Sequence, residues 1–196
     1  MAVIGLSKPY IAKYSNTGST VTYTAPTLIG KAVNMSLSLN TGNSNVLYAD
    51  NAPAESDNQF SGGTLTLTTD DLSADVMMSI FGVKEEAISA SGVTTSGAAW
   101  LVHDDDQVIP YVGFGGVIKK KVSGATKYVG VVYPKVQFQN LNDTATTQGE
   151  TIEWQTPEIT ADLMRSDNAK HEWKRITTDL DTEAEAESAI KAFFGA

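Results

Sequence analysis

The chain has 196 residues, with 14 Lys and Arg against 23 Asp and Glu, no Cys, and a formal charge of −9. This length suits one domain. The acidic balance argues against general nucleic-acid binding, which needs Lys and Arg to displace counterions from phosphates. Without Cys there are no disulfides, Cys-ligated metals or Cys nucleophiles. No apolar run is long enough to predict a membrane-spanning helix, and residues 1–10 do not resemble a secretion signal.

The first third of the chain predicts β-strands. Residues 10–14 and 21–23 predict a hairpin that turns at residues 16–18. Apolar and polar residues alternate over 33–40 and again over 64–68, which predicts two half-buried strands. Residues 41–63, between them, show little periodicity and predict a long inter-strand loop. A loop of that length inside a compact domain usually has a function.

Capping signals and apolar spacing predict two helices. Apolar residues at helical spacing over 72–81 predict the first, with Asp70 and Asp71 as its caps and Gly82 as its stop. Thr182 and Glu185 form a capping box for a second helix at about 182–194. The apolar stripe predicted for this second helix consists of Ala186, Ile190 and Phe193.

The rest of the chain favours strands. The predicted segments are 99–102, 107–112, 116–122, 126–133, 151–155, 158–164 and 173–177, with a hairpin turn at 123–125. The sum is a mainly antiparallel β protein with one helix against the sheets and a short C-terminal helix. We expect residues 1–196 to form one domain.

No arrangement of residues predicts catalysis, a metal or a cofactor. His103 precedes three Asp residues, but a polar loop explains this run better than a metal site, because no partner lies at ligand spacing. Gly113-Phe114-Gly115 begins a dinucleotide-binding motif, but Ile118 occupies the position of its last Gly. We interpret those glycines as a bulge or turn and do not expect an enzyme.

Charge is distributed unevenly along the chain. Residues 111–142 contain five Lys and no acid and so carry a charge of +5. The remaining residues sum to −14, which gives the chain its total of −9. One interpretation is a solvated Lys-bearing hairpin on an acidic protein. The other is self-association, in which a basic face of one subunit meets an acidic face of the next.

Several motifs together resemble a known family. They are GLSKPYIAKY at 5–14, LYADN at 47–51 followed by Glu55, Phe60, GG at 62–63 and LTL at 65–67, DL at 71–72 with IFG at 80–82, FG at 114–115, KKK at 119–121, and TIEW at 151–154. Their order and spacing resemble the major tail protein, or tail tube protein, of long-tailed phages and prophages of Gram-positive bacteria. The likeness runs over nearly the whole chain.

The resemblance implies a fold and a structural role. The family fold is two packed antiparallel sheets, sandwich- or barrel-like, flanked by a helix. Its subunits form hexameric rings that stack into a hollow tube, and a long loop between early strands reaches the adjacent ring. That loop corresponds to residues 41–63. Some relatives carry a further immunoglobulin-like domain, which we do not expect here.

The resemblance also implies contacts and partners. Inter-subunit contacts are expected at Tyr48, Asp50, Glu55, Phe60, Lys119, Lys120 and Lys121. Expected partners are further copies of the chain, a tail-tip initiator complex, a tape-measure protein and a tail terminator, in the virion tail or, during assembly, the host cytoplasm. DNA would pass through the lumen without specific binding. We therefore expect Lys119–Lys121 not to form a continuous ring in the lumen, and some of the acids to face it.

Two other classes stay open. One is a β-sandwich module that decorates a phage or binds a receptor or glycan, which would expose an aromatic-lined groove. Trp100, Trp154 and Trp173 are the residues in question, although tryptophans more often serve core or interface packing. The other is a tube protein of a contractile or secretion system.

Overall fold

The computed structural model describes residues 2–41, 45–49, 52–57, 60–88, 98–139, 141, 145–147 and 154–196, with backbone alone for 41, 45–49 and 52–57. These residues contain twelve strands and two helices. The strands are β1 (Ala2–Thr17), β2 (Thr20–Leu28), β3 (Ala32–Thr41), β4 (Asn45–Ala49), β5 (Ala52–Asp57), β6 (Phe60–Thr69), β7 (Lys84–Ala87), β8 (Ala99–Val102), β9 (Val112–Val122), β10 (Ala125–Phe138), β11 (Glu158–Leu163) and β12 (Arg175–Ile176). The helices are α1 (Ala74–Phe81) and α2 (Glu183–Phe193).

One antiparallel sheet holds eight of the strands, in the order β2–β1–β9–β10–β11–β6–β3, with β12 beside β10. The sheet folds over on itself, since β2 and β3 are consecutive in the chain but lie at its opposite ends. β10 belongs to both layers: its first part pairs with β9 and its last residues pair with β11, with a bulge between Tyr133 and Val136. The chain is therefore mainly β, a sandwich with a short C-terminal helix, as predicted.

The main core lies between the two layers. Ile11 and Phe114 contribute from one layer, and Leu67 and Ile159 from the other, each at most 2% exposed. The alternation over 64–68 predicted Leu65 and Leu67 as inward, and both are fully buried. The alternation over 33–40 predicted Val33 and Leu39 as inward, but Val33 is 57% and Leu39 43% exposed, and the register of β3 shifts near each end of the strand.

Helix α1 packs on the same core. Its buried residues are Val76, Ile80 and Phe81. Ser73, not Asp70 or Asp71, caps it, because the Ser73 hydroxyl accepts a hydrogen bond from the Val76 amide. Asp70 instead accepts one from the Lys31 amide at 2.6 Å. Gly82 ends the helix in the left-handed conformation, as predicted.

Helix α2 covers the opposite face of β9 and β10. Its capping box is present as predicted, with the Glu185 carboxylate accepting from the Thr182 amide at 3.0 Å. Three glycines form the surface beneath the helix: Gly113, Gly115 and Gly130. A Cβ on Gly115 would lie 2.7 Å from Ile190 Cγ2, and one on Gly113 would lie 2.5 Å from Phe194 Cε1. The glycines therefore give α2 the space to approach the sheet.

Some predictions from the sequence were wrong. Gly113 and Gly115 lie within β9 and not in a turn, although the register shifts beside them, on β10 between Tyr133 and Val136 and on β1 between Ser7 and Tyr10. Residues 107–111 are not a strand, whereas Lys84–Ala87 is one that the sequence did not predict. Residues 41–63 are not one irregular loop, because β4 and β5 pair there. The strand predicted at 151–155 falls partly outside the described residues, and Trp154 and Gln155 are not in a strand.

Candidate assembly surface

The eight-stranded sheet ends in two edge strands, β2 and β3, each paired on one side within the described part of the chain. Both carry apolar side chains in contact with solvent. Leu28 on β2 is 40% exposed, and on β3 Val33 is 57% and Leu39 43% exposed. An open strand edge is a template for pairing with another chain, and apolar side chains beside it add burial to that pairing.

Strands β4 and β5 form a separate two-stranded ribbon between β3 and β6, which we call the arm. Its register runs from Asn45 opposite Asp57 to Ala49 opposite Ala52. Two of the residues expected at subunit contacts, Tyr48 and Glu55, belong to the arm, where only the backbone is described. Asp50 lies outside the described residues.

Phe60 lies at the base of the arm and is packed within its own chain. Its ring stacks on Trp173, with centroids 4.4 Å apart and the planes 5° from parallel. The Phe60 carbonyl also accepts a hydrogen bond from the Arg165 guanidinium. These two contacts join the start of β6 to the segment between β11 and β12. They give Phe60 a role within its own subunit.

The three consecutive lysines lie on β9 and have different surroundings. Lys120 is 9% exposed and forms an ion pair with Asp179. The Lys119 ammonium lies 5.9 Å from the Tyr128 ring centroid. Lys121 is exposed. The side chains alternate between the two faces of the strand, so the three do not form one patch on a single face.

The other two lysines of residues 111–142 are also ion-paired. Lys127 pairs with Asp181, and the Lys135 ammonium lies 2.8 Å from the Asp167 carboxylate. The Tyr14 hydroxyl donates to the same carboxylate at 2.8 Å, and these two donors hold the pKa of Asp167 below its usual range. Three of the five lysines of the basic segment therefore pair with an acid of the same chain, whereas Lys119 and Lys121 form no ion pair among the described residues.

The tryptophans divide into two kinds. Trp173 is packed against Phe60, as described above. Trp100 on β8 is 62% exposed and Trp154 is 86% exposed. Neither of them lines the two clefts described beside α2.

One open cleft of about 520 Å³ lies beside the end of α2. Tyr23 and Phe193 line it, together with Glu172 and Arg175, which bind each other through two hydrogen bonds of 2.8 and 3.0 Å. The Arg175 guanidinium lowers the pKa of Glu172. These two charged groups already satisfy each other.

The described residues offer neither a metal site nor a membrane-spanning helix. They contain no group of three His, Asp or Glu side chains placed to bind a metal, and His103 instead lies 3.3 Å from the Gln107 side-chain oxygen. Neither α1 nor α2 has the length and apolar character needed to cross a bilayer. Comparison of the chain with protein-family models and with curated protein sequences finds no match.

Proposed function

We propose that this protein is a structural subunit that polymerises with copies of itself as stacked hexameric rings, forming the tail tube of a long-tailed phage. The order and spacing of motifs suggest this role. The structural observation that supports it best is the arm, a paired ribbon in the segment expected to reach the adjacent ring. No enzymatic activity, cofactor or metal is part of the proposal.

The edge strands suggest how the rings would close. A subunit with two unlike edges, β2 and β3, can pair head to tail with identical neighbours. Such heterologous contacts form a closed ring if the rotation between subunits closes, and a ring leaves no free edge. The arm would then add contacts between rings. Assembly would start on a tail-tip complex, with tape-measure and terminator proteins setting the length.

Electron microscopy of the purified protein tests the proposal, with and without a tail-tip complex. We expect six-fold rings or hollow tubes. The edge variant combines Val33→Lys and Leu39→Lys, which place charges beside the β3 edge. Its matched control is Val108→Lys, at a 78% exposed position in the loop after β8. The edge variant should lose at least about 90% of the assembled particles with little change in stability, because exposed sites tolerate substitution.

Two outcomes would contradict the proposed function, and a third would contradict only the contact through β3. If the protein stays as discrete particles even with a tail-tip complex, a decoration or glycan-binding module becomes the better hypothesis. If tubes form but carry a contractile sheath in their native context, the tube belongs to a contractile or secretion system. If the edge variant and Val108→Lys assemble equally well, the β3 edge is not the contact.

A further inference from the structure

The hairpin of β9 and β10 places two lysines directly opposite each other. Lys120 and Lys127 are register partners, so their side chains leave the same face of the sheet. Like charges in that position repel and destabilise the pair of strands. Two more lysines follow on the other face of the same hairpin: Lys119, half-buried, and Lys121, exposed. Four cations therefore lie within a few residues of the turn.

A segment between β12 and α2, residues 177–181, crosses this region, and we call it the strap. It is fixed to β10 by backbone hydrogen bonds: the Tyr128 and Leu180 amides each donate to the other's carbonyl at 2.9 Å, and the Thr177 amide donates to Gly130 at 2.9 Å. The strap brings Asp179 to Lys120 and Asp181 to Lys127.

The two ion pairs differ in burial. The Lys120 side chain is 11% exposed and that of Asp179 41%. The Lys127 side chain is 30% exposed and that of Asp181 78%. The acids are therefore on the solvent side of the lysines, and an approaching polymer would meet carboxylates before ammonium groups. Hydrogen bonding to Asp181 also raises the pKa of Lys127.

We propose that the hairpin tip is a latent binding surface for the phosphate backbone of nucleic acid, and that Asp179 and Asp181 on the strap keep it from binding. With the two acids in place, Lys120 and Lys127 contribute no net charge. Without them, Lys120 and Lys127 would add two uncompensated positive charges on one face of the tip, beside Lys119 and Lys121 on the other face. Lysine contacts to phosphates need no sequence recognition and grow with every charge released.

This inference concerns one subunit and does not depend on self-assembly. The test uses fluorescence anisotropy of a labelled DNA duplex of about 30 base pairs at low salt, about 25 mM, where such contacts are strongest. We expect weak or no binding by the unmodified protein. Asp179→Asn with Asp181→Asn should bind at least about tenfold more tightly, and its log affinity should fall more steeply with log salt, by about 2.

The matched control is Glu85→Gln with Glu86→Gln, which changes net charge equally at two exposed positions of β7. It should bind no more tightly than the unmodified protein. Adding Lys120→Gln and Lys127→Gln to the strap variant should return its affinity to the starting value. Equal binding by the strap variant and the control would overturn the proposal, since net charge alone would then explain it.

Folding of each variant is checked by circular dichroism and thermal unfolding. If the double strap variant does not fold, the single variant Asp181→Asn is tested instead. It should fold, because Asp181 is mostly exposed and the Lys120–Asp179 ion pair stays intact. It should show about threefold tighter binding than the unmodified protein, half of the expected effect on a logarithmic scale. A folded Asp181→Asn variant with unchanged DNA affinity would overturn the proposal in that case, as would tight binding by the unmodified protein.

Discussion

The two faces of strand β9 are filled in different ways. On the face toward the main core, large side chains such as Phe114 meet the opposite layer of the sandwich. On the other face, Gly113 and Gly115 leave room for α2, whose Ile190 and Phe194 supply the bulk. The first face packs against the opposite layer of the sandwich, whereas the second packs against α2 together with neighbouring side chains such as Tyr23 of β2. A substitution on the second face should therefore act through α2.

A further contrast separates the part of the sheet covered by α2 from the arm. Charged contacts hold α2 at its outer side: Glu187 accepts from the Tyr10 hydroxyl at 2.7 Å and pairs with Lys191 at 2.8 Å and Lys8 at 3.4 Å. The contacts described at the base of the arm are the Phe60–Trp173 stack and the hydrogen bond from Arg165 to the Phe60 carbonyl. Contacts within the subunit therefore fix α2 on the sheet, and under the proposed function other copies would add contacts to the arm.

Gly115→Ala tests the space beneath α2 and should have the largest effect. The new methyl group would meet Ile190 at 2.7 Å, so α2 must shift outward. Overpacking of this kind costs about 2 kcal/mol. Urea denaturation measures the loss. The matched control is Gly5→Ala on β1, where the nearest atom would be 3.5 Å away, and this should stay within about 0.5 kcal/mol. Equal effects would contradict the idea that the glycines make room for α2.

Glu187→Gln tests the charged contacts of α2 through pH. Hydrogen bonds from Lys191 and Tyr10 lower the pKa of Glu187 from 4.5 to about 2. The contacts therefore stabilise the fold fully above about pH 4.5, and this increment is lost as pH falls toward about 2. The variant should be less stable at pH 7 by about 1–2 kcal/mol and should lose less on acidification.

Denaturation at pH 7 and pH 3 compares the two proteins. Asp167 and Glu172 also have lowered pKa values, and they contribute equally to both proteins. The difference between the two curves therefore reports Glu187 alone. Parallel loss of stability in both would show that Glu187 is not engaged by Lys191 and Tyr10 in solution.

Phe60→Leu tests the base of the arm and should have the smallest effect on stability. Loss of the stacked ring should cost about 1 kcal/mol, since such pairs contribute about 0.5–1.5 kcal/mol beyond burial. Hydrogen exchange should speed up more in β4 and β5 than in β9. Trp100→Leu, at a 62% exposed position, is the control and should change neither quantity. Uniform acceleration across the sheet would mean that the stack supports the whole fold.

The sequence predicted elements that have local signals. Alternation marked β3 and β6, and the Thr182–Glu185 capping box marked the start of α2. The arm was missed because residues 45–57 lack alternation, and β7 was missed because Lys-Glu-Glu-Ala has no strand propensity. Both segments are strands because they pair with a neighbouring strand, β4 with β5 and β7 with β8.

The partners of the lysines could not be predicted from the sequence. Lys120 and Asp179 are 59 positions apart, and only the course of the strap beside β10 brings them together. The glycines beneath α2 did leave a signal, since Gly113 and Gly115 alternate with Val112 and Phe114. Small residues alternating with large ones on a strand can indicate a covering helix, but the motif also suggested a turn.

The order of the strands has a consequence for synthesis on the ribosome. β1 is made first, but its long partner β9 begins at Val112, and β10 follows only after the turn at residues 123–124. Until then, the nascent chain can form only the elements that lie before β9, such as the pairs β1–β2 and β3–β6. The central strands therefore join late, with contacts of high sequence separation, which slows folding. Through this interval the unpaired side of β1 is open to association with other chains, so a cell making many copies would benefit from a chaperone at this stage.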